Sequence, residues 1–159
     1  MLDHRDKRLL ALLQRDSRRT NAELAEDVGL SLSACAKRVA RLWSEGFLLR
    51  APALIDRRRF RRPVTAAVMV TLTAPKASVS QDFARRITAC PQVAQCHAVT
   101  GEFDFLLVVQ ERSIEAYHDF AQEVFGEWPQ VASYRTNFLL RSYKNDTALP
   151  DFCLSKSAE

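Results

Sequence analysis

Glycine and proline are scarce in this chain, 4 and 6 of 159 residues. That scarcity excludes collagen-like, mucin-like and other low-complexity architectures. With 47% apolar and 26% charged residues, it leaves a packed protein of one ordinary domain or two small ones. No apolar run approaches the roughly 20 residues of a membrane helix; the longest, 65–72, is strand-sized. Asp3, His4, Arg5, Asp6, Lys7 and Arg8 leave no room for an apolar segment after Met1, so export is not expected and the chain is placed in the cytoplasm. Cys35, Cys90, Cys96 and Cys153 form no C-x-x-C pair, which points to reduced thiols rather than a zinc site or a disulfide framework. Cys96 and His97 are neighbours in an expected strand, where adjacent side chains face opposite ways and do not easily share a metal. Histidine is equally sparse. His4, His97 and His118 stand in unrelated segments without a nucleophile or metal partner, so neither catalysis nor a cofactor is expected.

What the chain does have is a segregated charge. Residues 1–62 carry 15 Lys and Arg against 8 Asp and Glu, a net +7, and the remaining 97 carry 8 against 11, a net −3. A basic head on an acidic body suggests a polyanion-binding module joined to a part with another task.

Within the head, Asp3 is a plausible N-cap for a helix whose Leu9, Leu10 and Leu13 recur at helical spacing. Thr20 and Glu23 form a capping box ahead of Leu24, Ala25 and Val28, and Gly29 ends that second helix. Ser31 caps a third, with Cys35, Val39 and Leu42 facing inward and Gly46 near its end. Two short helices joined through Gly-Leu-Ser are a helix-turn-helix pattern. At 100° per residue, Ser33, Lys37 and Arg41 lie opposite the inward stripe, with Ala34 and Arg38 on the flank. With Ser31, these residues are the candidates for contact with double-stranded DNA: a small, polar start lets the helix enter the major groove, and the cations reach base edges or phosphates. A solvated charged face remains the alternative. Residues 47–49 suggest a wing-like strand, and Arg57, Arg58, Arg59, Arg61 and Arg62 make a basic linker, each able to neutralise one phosphate or simply be solvated.

The body reads as βαββαβ. β-Branched residues mark a strand at 64–72; Ser78 with Gln81 suggests a capping box for a helix carrying Phe83, Ala84 and Ile87; strands follow at 93–100 and 103–109, joined across Gly101-Glu102. Ser113 caps a second helix with Ile114, Tyr117, Phe120, Ala121 and Val124 on one stripe, Gly126 ends it, and a last strand spans 131–143. This order predicts a ferredoxin-like α+β domain in which two helices cover one sheet face and leave the other for a second copy of the chain. The division expected is 1–50 for a winged helix-turn-helix, 51–63 for the linker, and 64–159 for the sheet domain with its C-terminal tail.

The residues themselves resemble the Lrp/AsnC regulators. The likeness runs through Asp6, Asp16-Ser17-Arg18, Leu24-Ala25, Val28-Gly29-Leu30-Ser31, Cys35, Arg38-Val39, Leu42 and Gly46-Phe47-Leu48. It continues at Val99-Thr100-Gly101-Glu102-Phe103-Asp104-Phe105-Leu106-Leu107, similar to the family's Gly-x-aromatic-Asp signature, at Arg135-Thr136 and at Ala148-Leu149-Pro150. The resemblance implies a transcription regulator that pairs into homodimers and often assembles into octamers, with a small amino acid bound between dimers close to the signature loop. Carried over, Gly101 and Asp104 are the first effector candidates, followed by Thr100 and Thr136. Asp104 can accept an ammonium while backbone N–H groups near Gly101 receive a carboxylate; a tight turn in which Asp104 bonds nearby backbone is the other reading. The chain departs from the family in its linker, where Arg50-Ala51 replaces the common Gly-Tyr and Arg61 stands at a later glycine position. A ligand-independent architectural DNA binder is the competing function; an enzyme is the more distant one.

Overall fold

The computed structural model describes residues 1–53, 55–56, 59, 63–74 and 76–155. The chain divides into two compact units, each described by itself.

The first unit holds α1 (His4–Arg15), α2 (Asn21–Val28) and α3 (Leu32–Ser44). Their starts are set by side chains that satisfy backbone N–H groups left orphaned at a helix N-terminus. Asp3 accepts from Asp6 N–H and Asp6 reciprocates to Asp3 N–H; Thr20 and Glu23 make the same exchange; Ser31 accepts from Ala34 N–H. Gly29 ends α2 at φ +64, a left-handed conformation that glycine enters without penalty, and so turns the chain toward α3. The core between the helices is Leu9, Leu13, Leu24, Cys35 and Leu42, with Val28, Leu30, Val39 and Leu48 packed at its edge.

No strand forms at 47–49, where a wing-like strand was expected. Leu48 N–H instead donates back to the Leu42 carbonyl at 3.2 Å, closing the end of α3, and its side chain packs on the helical core. Residues 144–155, assigned from sequence to the sheet domain, cluster with the helical unit. Gln14 clasps Leu149 there, donating from Nε2 to its carbonyl at 2.9 Å and accepting its N–H at 3.0 Å. Arg15 pairs with Asp151 at 3.1 Å, at the start of the short α6 (Asp151–Ser155).

The second unit is a four-stranded antiparallel sheet, β1 (Val64–Leu72), β2 (Val93–Ala98), β3 (Phe105–Glu111) and β4 (Val131–Phe138), in the order β2-β3-β1-β4. With α4 (Ala77–Thr88) and α5 (Ile114–Ala121) in the crossovers, the βαββαβ order stands as expected. Period-two alternation puts Ala66, Val68, Val70 and Leu72 of β1 into the core with Leu107, Val109, Phe83, Ile87 and Phe120. Phe83 packs on Phe105 at 4.7 Å between ring centres and edge-on to Trp128 at 5.9 Å; burying such a side chain contributes about 1.5–3 kcal/mol. The opposite face carries Ala67, Met69, Leu106 and Val108, all half-exposed.

Several details differ from expectation for local reasons. α4 begins at Ala77 behind Lys76, which makes no side-chain cap, so Ser78 lies inside the first turn and forms no capping box with Gln81. β2 ends at Ala98, opposite Phe105, so the link to β3 is a loop of residues 99–104 rather than a two-residue hairpin. Ile114 is 55% exposed at the first position of α5, and the buried stripe starts at Tyr117. A π-helical turn, Gln122–Gly126, then carries Val124 and Phe125 into the core. β4 stops at Phe138, opposite Ala66; one further bond, from Leu139 N–H to the Thr65 carbonyl, follows, and the chain then leaves the sheet although β1 runs on to Val64.

Candidate functional sites

The third helix presents two distinct surfaces. Ser33, Lys37 and Ala40 are exposed, at spacings of four and seven residues that keep them on one stripe, and Ser31 is exposed at the cap. Leu32 beside them is 58% exposed, an apolar side chain at the helix start that sequence patterning did not single out. Arg41, expected on that stripe, lies instead on the flank with Ala34 and Arg38. Eight residues make about 2.2 turns, so Arg41 has rotated some 80° from Ser33.

That flank is committed to α1. Asp6, only 1% exposed, receives Arg38 Nη1 at 2.8 Å on one oxygen and Arg41 Nη2 at 2.6 Å on the other, and Asp3 receives the same Arg38 Nη1 at 2.6 Å. Burial pushes the Asp6 carboxyl up, but the Asp3 N–H and the two guanidinium groups outweigh it and hold it below the ordinary carboxylate value. Asp3 is held down at about 2, mainly by the Asp6 N–H and then by Arg38. The signal for this cluster was present in the sequence. Asp6 falls on the Leu9, Leu10 and Leu13 stripe, and a buried charge demands a partner.

The basic linker falls largely outside the described residues: Arg57, Arg58, Arg61 and Arg62 are not among them. Arg59 is exposed and lies 3.8 Å from Asp56.

In the sheet unit, loop 99–104 is stapled to the end of β1 by Asp104. Its N–H donates to the Val70 carbonyl at 2.9 Å, its carbonyl accepts from Val99 N–H at 3.0 Å, and a carboxylate oxygen accepts from Leu72 N–H at 2.7 Å. Asp104 thus bonds nearby backbone, as the tight-turn reading required, and caps a β1 N–H that the ladder leaves behind. Gly101 adopts φ +125 with no atom within 4 Å of where a Cβ would stand, so glycine is demanded by conformation and not by crowding. Thr100 and Gly101 are both exposed on the loop.

Thr136 does not join them. It sits on β4 opposite Val68, about three residues or roughly 10 Å along the sheet from Asp104. It lies on the helix-covered face, where its hydroxyl meets Tyr117 Oη at 2.5 Å. The structure therefore groups Thr100, Gly101 and Asp104 and separates Thr136, whose partner Tyr117 was read from sequence only as core. A crevice of about 270 Å³ between α1 and α2, lined by His4, Arg5, Arg8, Asp27 and Val28, belongs to neither candidate group. Among the described residues no cluster of His, Cys, Asp or Glu suits a metal ion, and no helix is long and apolar enough to cross a membrane.

Comparison with known proteins matches residues 2–48 to the winged helix-turn-helix DNA-binding family and residues 65–149 to the Lrp/AsnC ligand binding domain. The leucine-responsive regulatory protein of Escherichia coli is 31% identical over 148 residues, covering 93% of this chain and 90% of that protein. The DNA-binding transcriptional activator DecR of the same species is 31% identical over 150 residues, covering 94% and 99%. Among solved structures, a transcriptional regulator of Neisseria meningitidis in complex with L-methionine superposes with a TM-score of 0.86 at 31% identity, over 94% of this chain and 97% of that one.

Proposed function

Since the chain belongs to the Lrp/AsnC family of transcription regulators, whose members are not enzymes, we propose that its helix-turn-helix reads specific duplex DNA and that a small amino acid tunes that binding or the assembly behind it. The observation that carries this reading is the pairing of an exposed, Ser31-capped helix face with a second unit that matches the Lrp/AsnC ligand binding domain and whose signature loop turns at Gly101.

In this reading Ser31, Ser33, Ala34 and Lys37 approach the DNA directly. The small side chains permit close entry, Lys37 supplies a mobile point charge for phosphate, and Leu32 offers apolar contact to a thymine methyl. Arg38 and Arg41 stand beside them with part of their donor capacity already spent on Asp3 and Asp6. For the effector, backbone N–H groups around Thr100 and Gly101 receive the carboxylate, and Asp104 shapes the loop while its second carboxylate oxygen faces the ammonium. Thr136, bonded to Tyr117 on the covered face, has no part in this contact. L-Methionine, bound by the Neisseria regulator, is the first ligand to try. The half-exposed apolar face of Ala67, Met69, Leu106 and Val108 supports pairing of two copies into a homodimer, with octamers beyond it, in the cytoplasm where DNA is reached.

One observation favours a second reading. Asp104 is already engaged by Leu72 N–H, which suits a loop that is structural and a DNA binder that needs no ligand. Fluorescence anisotropy decides between them, using the purified protein on the duplex upstream of its own gene and on a scrambled control, across salt and with each amino acid in turn. A preference for the native duplex that one amino acid changes severalfold is expected, because an effector moves the equilibrium only by its differential affinity for the two states. Specific binding indifferent to all of them would favour the architectural reading.

A further inference from the structure

The Asp3, Asp6, Arg38 and Arg41 cluster is more than a way of keeping a buried charge satisfied. Arg38 is gripped at one nitrogen only. Its Nη1 lies between Asp3 at 2.6 Å and Asp6 at 2.8 Å, whereas its Nε and Nη2 donate to no described residue, and its side chain stays 28% exposed. Those two remaining donors form the side-on fork of the guanidinium, the geometry that meets two acceptors at once, such as O6 and N7 of guanine. Arg41 is the counter-case. It closes the second oxygen of Asp6 with Nη2 at 2.6 Å, and its Nε is buried without a partner, so although its side chain is 40% exposed neither arm of its side-on fork is offered outward.

We propose that Asp3 and Asp6 are positioning residues for base recognition: they hold Arg38 by Nη1 and present its Nε and Nη2 fork to one base edge. An unrestrained arginine loses rotamer entropy when it is fixed, and here α1 has fixed it before DNA arrives. The division of labour on α3 follows. Lys37, exposed, adds affinity without regard to sequence, and Arg38, held on the flank, discriminates. This inference rests on the reading that α3 contacts DNA, and it goes beyond that reading by naming what aims the contact.

The test uses the full chain and duplexes selected from a random-sequence pool. The selected base profile and the affinities for the selected and scrambled duplexes are compared for the wild type, Arg38→Lys, Arg38→Ala, Asp3→Asn and the Asp3→Asn/Arg38→Ala double variant. Asp3→Asn keeps a good helix cap while removing the carboxylate charge, so the fold is spared. Arg38→Lys keeps the charge and removes the fork. The expected result is loss of a guanine preference at one position in both Arg38 variants, with affinity for the selected duplex falling about tenfold or more and the scrambled duplex changing much less. Asp3→Asn weakens the same position by a smaller factor and adds nothing to Arg38→Ala. An unchanged base profile in the Arg38 variants overturns the proposal. So does an Asp3→Asn effect that is equal on both duplexes, which is what a purely structural role gives. A wild type that binds duplexes but selects no sequence also overturns it and leaves DNA binding standing, whereas a wild type that binds no duplex sinks the reading beneath it as well.

Discussion

Gly101 shows how narrow the requirement at a single position can be. The space around it is open, so a methyl group there meets nothing, yet φ +125 lies where L-residues are strained whatever the space. Replacing Gly101 with Ala is therefore expected to cost about 1–3 kcal/mol through the backbone alone. Urea unfolding followed by the fluorescence of Trp128, which lies in the sheet unit, measures it. A midpoint unchanged from wild type would mean that the loop relaxes out of this conformation at no cost. Asp104 acts from the other side of the same loop, through three bonds, two to β1 at Val70 and Leu72 and one to Val99. A residue so engaged shapes a site chiefly through the backbone it holds.

Between elements, the helical unit is tied by charge as well as by leucines. Asp3, the N-cap of α1, and Asp6 within it carry carboxyls lowered in the folded state by N–H groups and guanidiniums, against an unfolded value near 4. A lowered folded value means that the unfolded chain binds protons first, so the stabilisation is complete above about pH 5, begins to fade near pH 4, and is gone below the folded values, around pH 2 for Asp3. Thermal unfolding from pH 7 to pH 2 should be level at the upper end and fall through the acid range, and Asp3→Asn should flatten part of the fall. A melting temperature that does not drop below pH 4 contradicts the linkage. Periodicity and caps made the helices and strands of both units legible in the chain, because Asp3, Thr20, Ser31 and Ser113 each satisfy a local N–H and leave a local signature. What local signals miss is where pairing ends. Residues 139–143 read as a continuation of the last strand, yet the chain leaves β1 after the Leu139 bond to Thr65, and Leu140 is 98% exposed. The same blindness applied to the sites. Lys37 was visible from spacing, whereas the pairing of Arg38 with Asp6 spans 32 residues and only the oddity of an aspartate on an apolar stripe announced it.

At the scale of the molecule, the helical unit is not continuous in sequence. It is built from residues 1–53 and completed by 144–155, which return after the last strand. The return is specific. Gln14 makes two reciprocal bonds to the Leu149 backbone, as a strand edge would, Arg15 pairs with Asp151, and the contacts fall on one turn of α1. Exposed polar contacts of this kind contribute modestly, about 0.5–1.5 kcal/mol net for each hydrogen bond and less for the exposed ion pair. Truncation after Tyr143 is accordingly expected to destabilise the helical unit by about 1–2 kcal/mol, a five- to thirtyfold rise in hydrogen exchange along α1, while the core strands β1 and β3 keep their protection. Gln14→Ala, which leaves the tail in place, should produce part of that rise. Equal loss of protection in both units would mean that the tail stabilises the whole chain rather than the helices it touches, and unchanged exchange in α1 would mean that the clasp at Leu149 holds the tail without the tail holding the helix.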